Sequence, residues 1–128
     1  MKTASLNKKQ RLKSRKSIAE LFDSGRTIHG KPLRILWKPL EQKQLAFVQM
    51  AVSVPKRHFK RAVDRNVLKR RIREAFRRNK GLLKLSASET GQSVNLMIIF
   101  TDTQIVSYQV IEDKLKELLL RLNKEISP

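Results

Sequence analysis

The spacing of apolar residues changes along the chain and marks its predicted helices and strands. Near the N-terminus, Ile18 and Phe22 are one helical turn apart and lie on the same face of a helix. We expect Ser17 to cap this helix together with Glu20, three residues later, and Gly25 to end it. The pattern therefore predicts a short first helix.

Four stretches have the composition of β-strands. A very short strand is expected around residues 27–29, followed by an alternating strand at 33–38 that ends before Pro39. The longest β-like run is 45–54. Residues 94–100 form a continuous apolar run, which is typical of a central strand buried on both faces.

Residues 63–79 have a helical period and carry two separate stripes. The apolar stripe consists of Leu68, Ile72, Ala75 and Phe76. The adjacent stripe is basic or amide and consists of Asn66, Lys69, Arg70, Arg73 and Arg77. Asp64 supplies negative charge near the predicted N-terminus of the helix. The apolar stripe therefore predicts that the helix packs in the domain, and the basic stripe is free to bind phosphates.

The element order predicts one small domain. A last amphipathic helix is expected at 107–126, after a Gly- and Ser-containing loop at 80–93. The order α-β-β-β-α-β-α indicates an α+β fold with the helices packed on one four-stranded sheet. We assign residues 11–126 to this domain and residues 1–10, which are polar and basic, to a flexible N-terminal arm.

Basic residues are concentrated in two parts of the chain. The 29 Lys and Arg residues against 11 Asp and Glu residues give a net charge of +18. Residues 1–16 contain seven basic and no acidic residues, and residues 55–80 contain twelve basic and two acidic ones. So basic a protein is expected to bind a polyanion, with nucleic acid the first candidate and an anionic membrane surface the second.

The residues of common catalytic and metal sites are absent or isolated in the sequence. His29 and His58 have no carboxylate or second histidine at ligand spacing, so we expect no protein-bound metal. Neither a glycine-rich phosphate loop nor a convincing carboxylate pair occurs. The lack of cysteine fits a cytoplasmic location, and no apolar segment is long enough to indicate a membrane span. We therefore expect no catalytic residues in the protein.

The basic helix carries a family resemblance. The stretch RNVLKRRIREAFR, residues 65–77, is similar to the R-N-x-x-K-R-x-x-R helix of the bacterial ribonuclease P protein component. VSVPKR, residues 52–57, resembles the strand end that precedes this helix in the family, and the stretch from residue 11 onwards is similar to its N-terminal pattern. The resemblance covers about residues 11–125.

The resemblance implies that an RNA subunit performs the chemistry. In the family this RNA removes the 5′ leader of precursor tRNA, using bound divalent metal such as Mg²⁺. The protein contacts the catalytic RNA through its basic helix and holds the leader in a cleft between the first helix and the sheet. The family fold also has a left-handed βαβ crossover, whereas general rules predict a right-handed one. No membrane and no further protein partner is implied.

The motif assigns roles to individual residues. Phosphate contacts with the catalytic RNA fall to Arg65, Lys69, Arg70 and Arg73. Asn66 also matches, and it would contact RNA or a structural metal, or else bond to nearby backbone. The same surface is extended by Lys56, Arg57, Arg61 and Arg77, and at the N-terminus by Arg11 and Lys13.

Two apolar residues of the first helix fall where the family places leader-facing side chains. An aromatic such as Phe22 can stack on an unpaired base, which is worth about 1–3 kcal/mol. Ile18 stands where family members commonly carry an aromatic, and it cannot stack in that way. Ordinary core packing is the alternative for both. Trp37 fits core or cleft, and the sequence leaves open whether its strand face or that of Leu36 and Lys38 lines the cleft.

Two other functions are compatible with a small basic protein. One is a ribosomal or ribosome-assembly protein that binds ribosomal RNA without an enzymatic role. The other is a DNA-binding module, which needs a recognition helix exposed to the major groove. The spaced helix motif favours the protein subunit of ribonuclease P, an endoribonuclease whose catalytic centre is RNA.

Overall fold

Helices and strands follow one another in the order expected from the sequence. The computed structural model describes residues 11–12, 14–40, 48–83 and 93–126. The helices are α1 (Arg15–Ser24), α2 (Ala62–Asn79) and α3 (Tyr108–Ile126). The strands are β1 (Arg26–Ile28), β2 (Leu33–Leu40), β3 (Val48–Ser53) and β4 (Ser93–Phe100), and a 3-10 turn follows α2 at Lys80–Leu82. This order confirms the α+β fold of a single small domain; the predicted arm at 1–10 lies outside the described residues.

The four strands form one mixed sheet in the order β1-β2-β4-β3. β2 pairs antiparallel with β1 and with β4, and Leu36 lies opposite Met97 in the second pair. β3 pairs parallel with β4, which places Ala51 beside the same Met97. Two parallel neighbours need a crossover connection, and α2 lies in it. The left-handed sense of this crossover stays a prediction from the resemblance.

One face of the sheet packs against α2 and α3 and holds the larger core. The β4 side chains buried in this core are Val94, Leu96, Ile98 and Phe100. The apolar stripe predicted for α2 is buried in the same core and consists of Leu68, Ile72, Ala75 and Phe76. Trp37 is 1% exposed here. Of the two positions open to Trp37, the core is therefore the one observed.

The opposite face of the sheet carries a smaller cluster that includes α1. Its buried members are Leu12, Leu21, Leu36, Met97 and Ile99. Successive side chains of a strand point to opposite faces, so the continuous apolar run of β4 serves both clusters. β4 is therefore a central strand buried on both faces, as predicted.

The first turn of α1 differs from the prediction. The N-cap is Ser14 rather than Ser17, and the Oγ of Ser14 accepts a hydrogen bond from the backbone N–H of Ser17 at 3.2 Å. Because the helix starts earlier, Glu20 is too far along it for a capping box, and its carboxylate instead lies 3.6 Å from Nζ of Lys38. Gly25 ends the helix as predicted, and its N–H donates to the oxygen of Leu21 at 2.9 Å. A Cβ at this position would clash with that oxygen, so glycine is required there.

Strand β2 continues through Pro39, where the prediction ended it. Pro39 pairs with Val94, and Leu40 pairs with Ser93, in the antiparallel ladder with β4. The pairing of β1 with β2 stops at Trp37. Beyond that point β2 has one neighbouring strand within the described ranges, and such an edge position tolerates a proline.

Polar contacts join the C-terminal end of α2 to α3. The buried Asn79 donates from Nδ2 to the backbone oxygen of Ala75 at 2.8 Å and to Oε2 of Glu112 at 3.0 Å. The hydroxyl of Tyr108 donates to the same carboxylate oxygen at 3.1 Å. The hydrogen bond from Asn79 is the main cause that lowers the pKa of Glu112. These contacts help to fix the rotation of α2 about its own axis and hence the direction of its polar stripe.

Candidate nucleic-acid interface

Four of the five residues in the polar stripe of α2 are not used by the fold. Asn66, Arg70 and Arg73 are exposed, and Lys69 is half-buried. Within the part of the chain that the structure describes, none of these four side chains makes a hydrogen bond or an ion pair. The burial of the apolar stripe holds the helix in this orientation. Three cations and an amide therefore face outward together.

The arginines on the opposite flank of α2 serve the fold. Arg71 donates from Nη1 to the backbone oxygen of Val106 at 2.6 Å, in the loop before α3. The guanidinium of Arg78 lies over the ring of Tyr108, 6.0 Å from its centroid. Both contacts lie on the side of α2 that faces α3. The unpaired stripe therefore lies on the side away from α3.

Arg77 belongs to the predicted surface but is partly neutralised. Its Nε donates to Oε1 of Glu74 at 2.9 Å, its Nη2 donates to Oε2, and Nε of Arg78 donates to Oε2 at 3.0 Å. The hydrogen bond from Arg77 is the largest cause that lowers the pKa of Glu74, and the same bond raises the pKa of Arg77. Glu74 therefore holds two cations at the C-terminal part of the helix, where a phosphate contact would have to compete with it.

Arg65 also bonds to the protein. Its Nη1 donates to the backbone oxygen of Phe59 at 2.6 Å and to that of Lys60 at 2.9 Å. The side chain is half-buried. Of the four motif cations, Arg65 is thus the one whose guanidinium is engaged by backbone within the described chain.

The segment 55–61, between β3 and α2, presents further cations. Lys56, Arg57 and Arg61 are all exposed, as their predicted role requires. Nε of Arg57 donates to Nε2 of His58 at 3.2 Å, and Nε of Arg61 lies 4.0 Å from Oδ2 of Asp64. These cations adjoin the N-terminal end of the α2 stripe and extend it along the chain.

A cavity of about 330 Å³ lies where α1, β3, β4 and α2 meet. It is lined by Arg11, Leu12, Ile18, Met50, Ala51, Val52, Arg73 and Met97. Most of these side chains are apolar, and the two guanidinium groups belong to exposed residues. The α2 stripe thus reaches the α1 side of the sheet through Arg73, which sequence reasoning assigned to the catalytic RNA alone.

The N-terminal residues of the domain reach this cavity along the edge of the sheet. Arg11 forms a parallel bridge with Met50 of β3, and the N–H of Leu12 donates to the oxygen of Met50 at 2.8 Å. Arg11 is exposed, as its predicted role requires. Lys13, predicted alongside it, lies outside the described residues.

Phe22 is 58% exposed, so its side chain does not belong to the core. Ile18, one turn earlier on α1, is half-buried against the smaller cluster and lines the cavity. Leu36 lies in that same cluster under α1, and Lys38 of the same strand face donates from Nζ to Oγ of Ser24 at 2.9 Å. The sheet face that looks towards α1 is therefore that of Leu36 and Lys38, and not that of Trp37.

Sequence reasoning missed the apolar floor of this cavity. Ala51 and Met97 were read as parts of strands, because a continuous apolar run does not tell which of its residues face an opening. The available signal was alternation: every second residue of a central strand must face the side opposite the main core. Leu12, an apolar residue between two basic ones, was a further signal.

Neither a metal cluster nor a membrane helix is found in the described parts of the chain. No group of three or more His, Asp or Glu side chains lies close enough to hold a metal ion there. No helix among these residues has the length and apolar character needed to cross a membrane.

Comparison with known proteins places this geometry in a family. The family model described as Ribonuclease P matches residues 6–123. The chain belongs to the ribonuclease P protein family. This confirms the function expected from the resemblance, a protein component of the ribonuclease P endoribonuclease, in a family whose known role is processing of the tRNA 5′ leader. It also separates the chain from the ribosomal and DNA-binding alternatives.

Individual ribonuclease P relatives are similar over almost their whole length. The ribonuclease P protein component of Porphyromonas gingivalis is 32% identical over 120 residues, which cover 94% of this chain and 88% of the relative. That of Thermotoga maritima is 27% identical over 125 residues, covering 94% and 97%. The solved ribonuclease P protein from Thermotoga maritima has a TM-score of 0.69 at 24% identity, covering 87% of this chain and 96% of the other. That from Staphylococcus aureus has a TM-score of 0.68 at 19% identity, covering 88% and 94%.

Proposed function

We propose that this protein binds two RNAs at once on adjoining surfaces. The catalytic RNA of ribonuclease P lies along the unpaired α2 stripe and segment 55–61, and the 5′ leader of precursor tRNA lies between α1 and the sheet. The observation that carries the proposal is the group of outward-facing, unpaired polar side chains on α2, which ends at a cavity under α1. One face of the molecule then serves both partners.

The α2 stripe suits an RNA backbone because its charges face outward and have no ion-pair partner in the described chain. Lys69, Arg70 and Arg73 make no internal ion pair in the described chain, so a phosphate has no protein anion to displace. Each such contact releases counterions, so the logarithm of the binding constant falls by about 0.7 to 0.9 per contact for every tenfold rise in salt concentration. Asn66 adds an amide that can donate to phosphate or sugar oxygens.

The α1 side suits an unpaired strand of RNA. An exposed aromatic such as Phe22 offers a stacking surface that every base can use. One helical turn before Phe22, Ile18 lines the cavity, which has an apolar floor and the guanidinium groups of Arg11 and Arg73 among its lining. Bases contact the apolar surface and the backbone contacts the cations. Ile18 contributes apolar area but no aromatic face.

The chemical step belongs to the RNA partner in this proposal. No side chain of the protein is assigned to catalysis, and divalent metal such as Mg²⁺ is held by the catalytic RNA. The protein increases the affinity for precursor tRNA and reduces the metal concentration that the RNA needs. It acts in the cytoplasm and requires no membrane and no further protein partner.

The first experiment compares precursor-tRNA cleavage by a bacterial ribonuclease P RNA at low Mg²⁺ with and without the protein. We expect a large rise in rate with the wild-type protein and loss of most of that rise with the double variant Lys69→Ala, Arg70→Ala. The matched control is Lys116→Ala, Lys124→Ala, which removes the same charge from exposed positions on α3. The control is expected to keep the rise, because its charges lie away from the interface.

Two outcomes would contradict the proposal. Equal loss in both double variants would show that net charge, rather than the α2 surface, determines binding. Tight RNA binding without any rise in cleavage by a matched RNA would show that binding at this surface does not assist the cleavage reaction. Circular dichroism of each variant separates either outcome from unfolding.

A further inference from the structure

Arg65 differs from the other cations of the basic motif because its side chain is bound by backbone. Both distances from Nη1, 2.6 Å to the oxygen of Phe59 and 2.9 Å to that of Lys60, are those of good hydrogen bonds. An arginine Nη group carries two hydrogens, so both donors of Nη1 are used. Arg70, five residues further along α2, is exposed and makes no such bond in the described chain.

The two accepting carbonyls belong to segment 55–61, which has no regular secondary structure beyond a turn. In that turn the N–H of His58 donates to the oxygen of Pro55 at 3.4 Å. The ring of Phe59 is buried and meets Phe100 edge-on, with 5.7 Å between centroids. The segment is thus anchored at two neighbouring points, by the Phe59 ring in the core and by the Arg65 guanidinium on its backbone.

Segment 55–61 carries four cations and no acid. Lys56, Arg57, Lys60 and Arg61 are all exposed, and like charges this close together repel one another. Without the contact from Arg65, only the Phe59 ring would hold the segment, and an RNA would have to order the rest of its backbone on binding. A segment held in place before binding avoids that entropic cost.

We propose that Arg65 is a positioning residue for RNA binding. It fixes segment 55–61 so that Lys56, Arg57 and Lys60 meet the RNA in one arrangement, and it supplies no phosphate contact of its own. The inference rests on the proposed function, because it assumes that this segment contacts RNA. It divides the motif into a cation that orders the protein and cations that contact the partner.

A double-mutant cycle tests this division. The affinity of the full-length protein for a bacterial ribonuclease P RNA is measured over a salt series for wild type, Arg65→Ala, Arg57→Ala and the double variant. Arg57→Ala lowers the affinity by some factor in the wild-type background. We expect this factor to be at least about threefold smaller in the Arg65→Ala background, because the segment is then no longer positioned. The matched control is Arg70→Ala. In its background Arg57→Ala should lower the affinity by the same factor as in the wild-type protein.

Hydrogen exchange in the free protein provides a readout that does not depend on RNA. The backbone amide of His58, which donates to the oxygen of Pro55, should exchange at least about tenfold faster in Arg65→Ala and in Arg65→Lys, which keeps the charge but lacks the planar fork. Amides of α3 should keep their wild-type rates, which shows that the fold is intact. Arg70→Ala should leave the exchange of the segment unchanged.

Failure of this inference can be told apart from failure of the proposed function. Wild-type RNA binding without coupling, together with a decrease in salt slope of about 0.7 to 0.9 for Arg65→Ala, would make Arg65 a direct phosphate contact and overturn the inference alone. Unchanged exchange in both Arg65 variants would also overturn it. Absence of RNA binding by the wild-type protein would overturn the proposed function and this inference together.

Discussion

The face of the sheet under α2 and α3 and the face under α1 are filled to different degrees. The first is covered by helices of 18 and 19 residues, and side chains such as Phe76, Leu96 and Leu115 are fully buried there. The second is covered by α1, a helix of 10 residues. Phe22 of this helix is exposed, and a cavity of about 330 Å³ lies beside its Ile18. The closed face holds most of the packing, and the open face has apolar surface left for a ligand.

The arginines of α2 follow the same division between fold and ligand. Arg71 and Arg78 face α3 and contact Val106 and Tyr108. On the other flank, Arg73 lines the cavity on the open side. The basic residues of this one helix therefore have different surroundings. The position of each cation relative to the two faces determines whether its side chain contacts the protein or has no ion pair within the described chain.

The largest difference between the two faces should be in stability. Phe76→Ala on the closed face should lower the free energy of unfolding by about 3–5 kcal/mol, because it leaves a cavity in a packed core. Phe22→Ala on the open face should change it by less than about 0.5 kcal/mol. Urea denaturation at pH 7 measures both. Similar losses for the two variants would contradict the division.

The next largest effect should be on leader binding. Phe22→Ala should weaken the affinity of the holoenzyme for precursor tRNA by roughly 1–3 kcal/mol, about 5- to 150-fold, because one base loses its stacking partner. Affinity for mature tRNA, which has no leader, should not change. The control is Leu120→Ala, which removes an exposed apolar side chain from α3. An equal loss for mature tRNA would place Phe22 outside the leader site.

Filling the cavity should show how much its volume, apart from its cations, contributes to leader binding. Ala51→Leu adds volume to the lining of the open cavity, and we expect a stability change below about 1 kcal/mol because there is room for it. Leader affinity should fall by roughly threefold to tenfold, part of the value of one stacked base. The matched variant is Ala75→Leu in the closed core, where overpacking should cost about 1–3 kcal/mol of stability. Unchanged leader binding by Ala51→Leu would exclude the cavity from the leader site.

Periodicity was sufficient to predict that the three helices exist and which stripe of α2 packs inward. Leu68, Ile72 and Phe76 recur at helical spacing, and burial is the physical reason for that spacing, so the face of α2 that packs inward could be read directly. A different signal, the continuous apolar run at 94–100, identified β4 as a central strand. Burial depends on whether a side chain is apolar, and the sequence gives that property for every residue.

The division among the cations could not be read in the same way. Arg65 and Arg71 bond to the backbone oxygens of Phe59, Lys60 and Val106, and every residue carries such an oxygen. No side-chain pattern therefore indicates the acceptor. The start of α1 was missed for a related reason, because two serines three residues apart are equivalent caps until the surrounding chain is in place. The open cavity depends on what α1 leaves uncovered, which is a property of the assembled fold.

The smallest expected effect concerns the paired end of α2. Hydrogen bonds from Arg77 lower the pKa of Glu74 below its ordinary value of 4.5. A carboxylate whose pKa is lower in the folded state stabilises that state above its unfolded pKa, and the contribution is lost as pH falls through the folded value. Urea denaturation from pH 7 down to pH 3 should therefore show a slightly smaller loss of stability for Glu74→Gln than for wild type. The difference should be small, because solvent and salt screen an ion pair at the surface. An identical pH dependence in the two proteins would mean that the pair does not restrain Arg77, which would then be as free for RNA as Arg70.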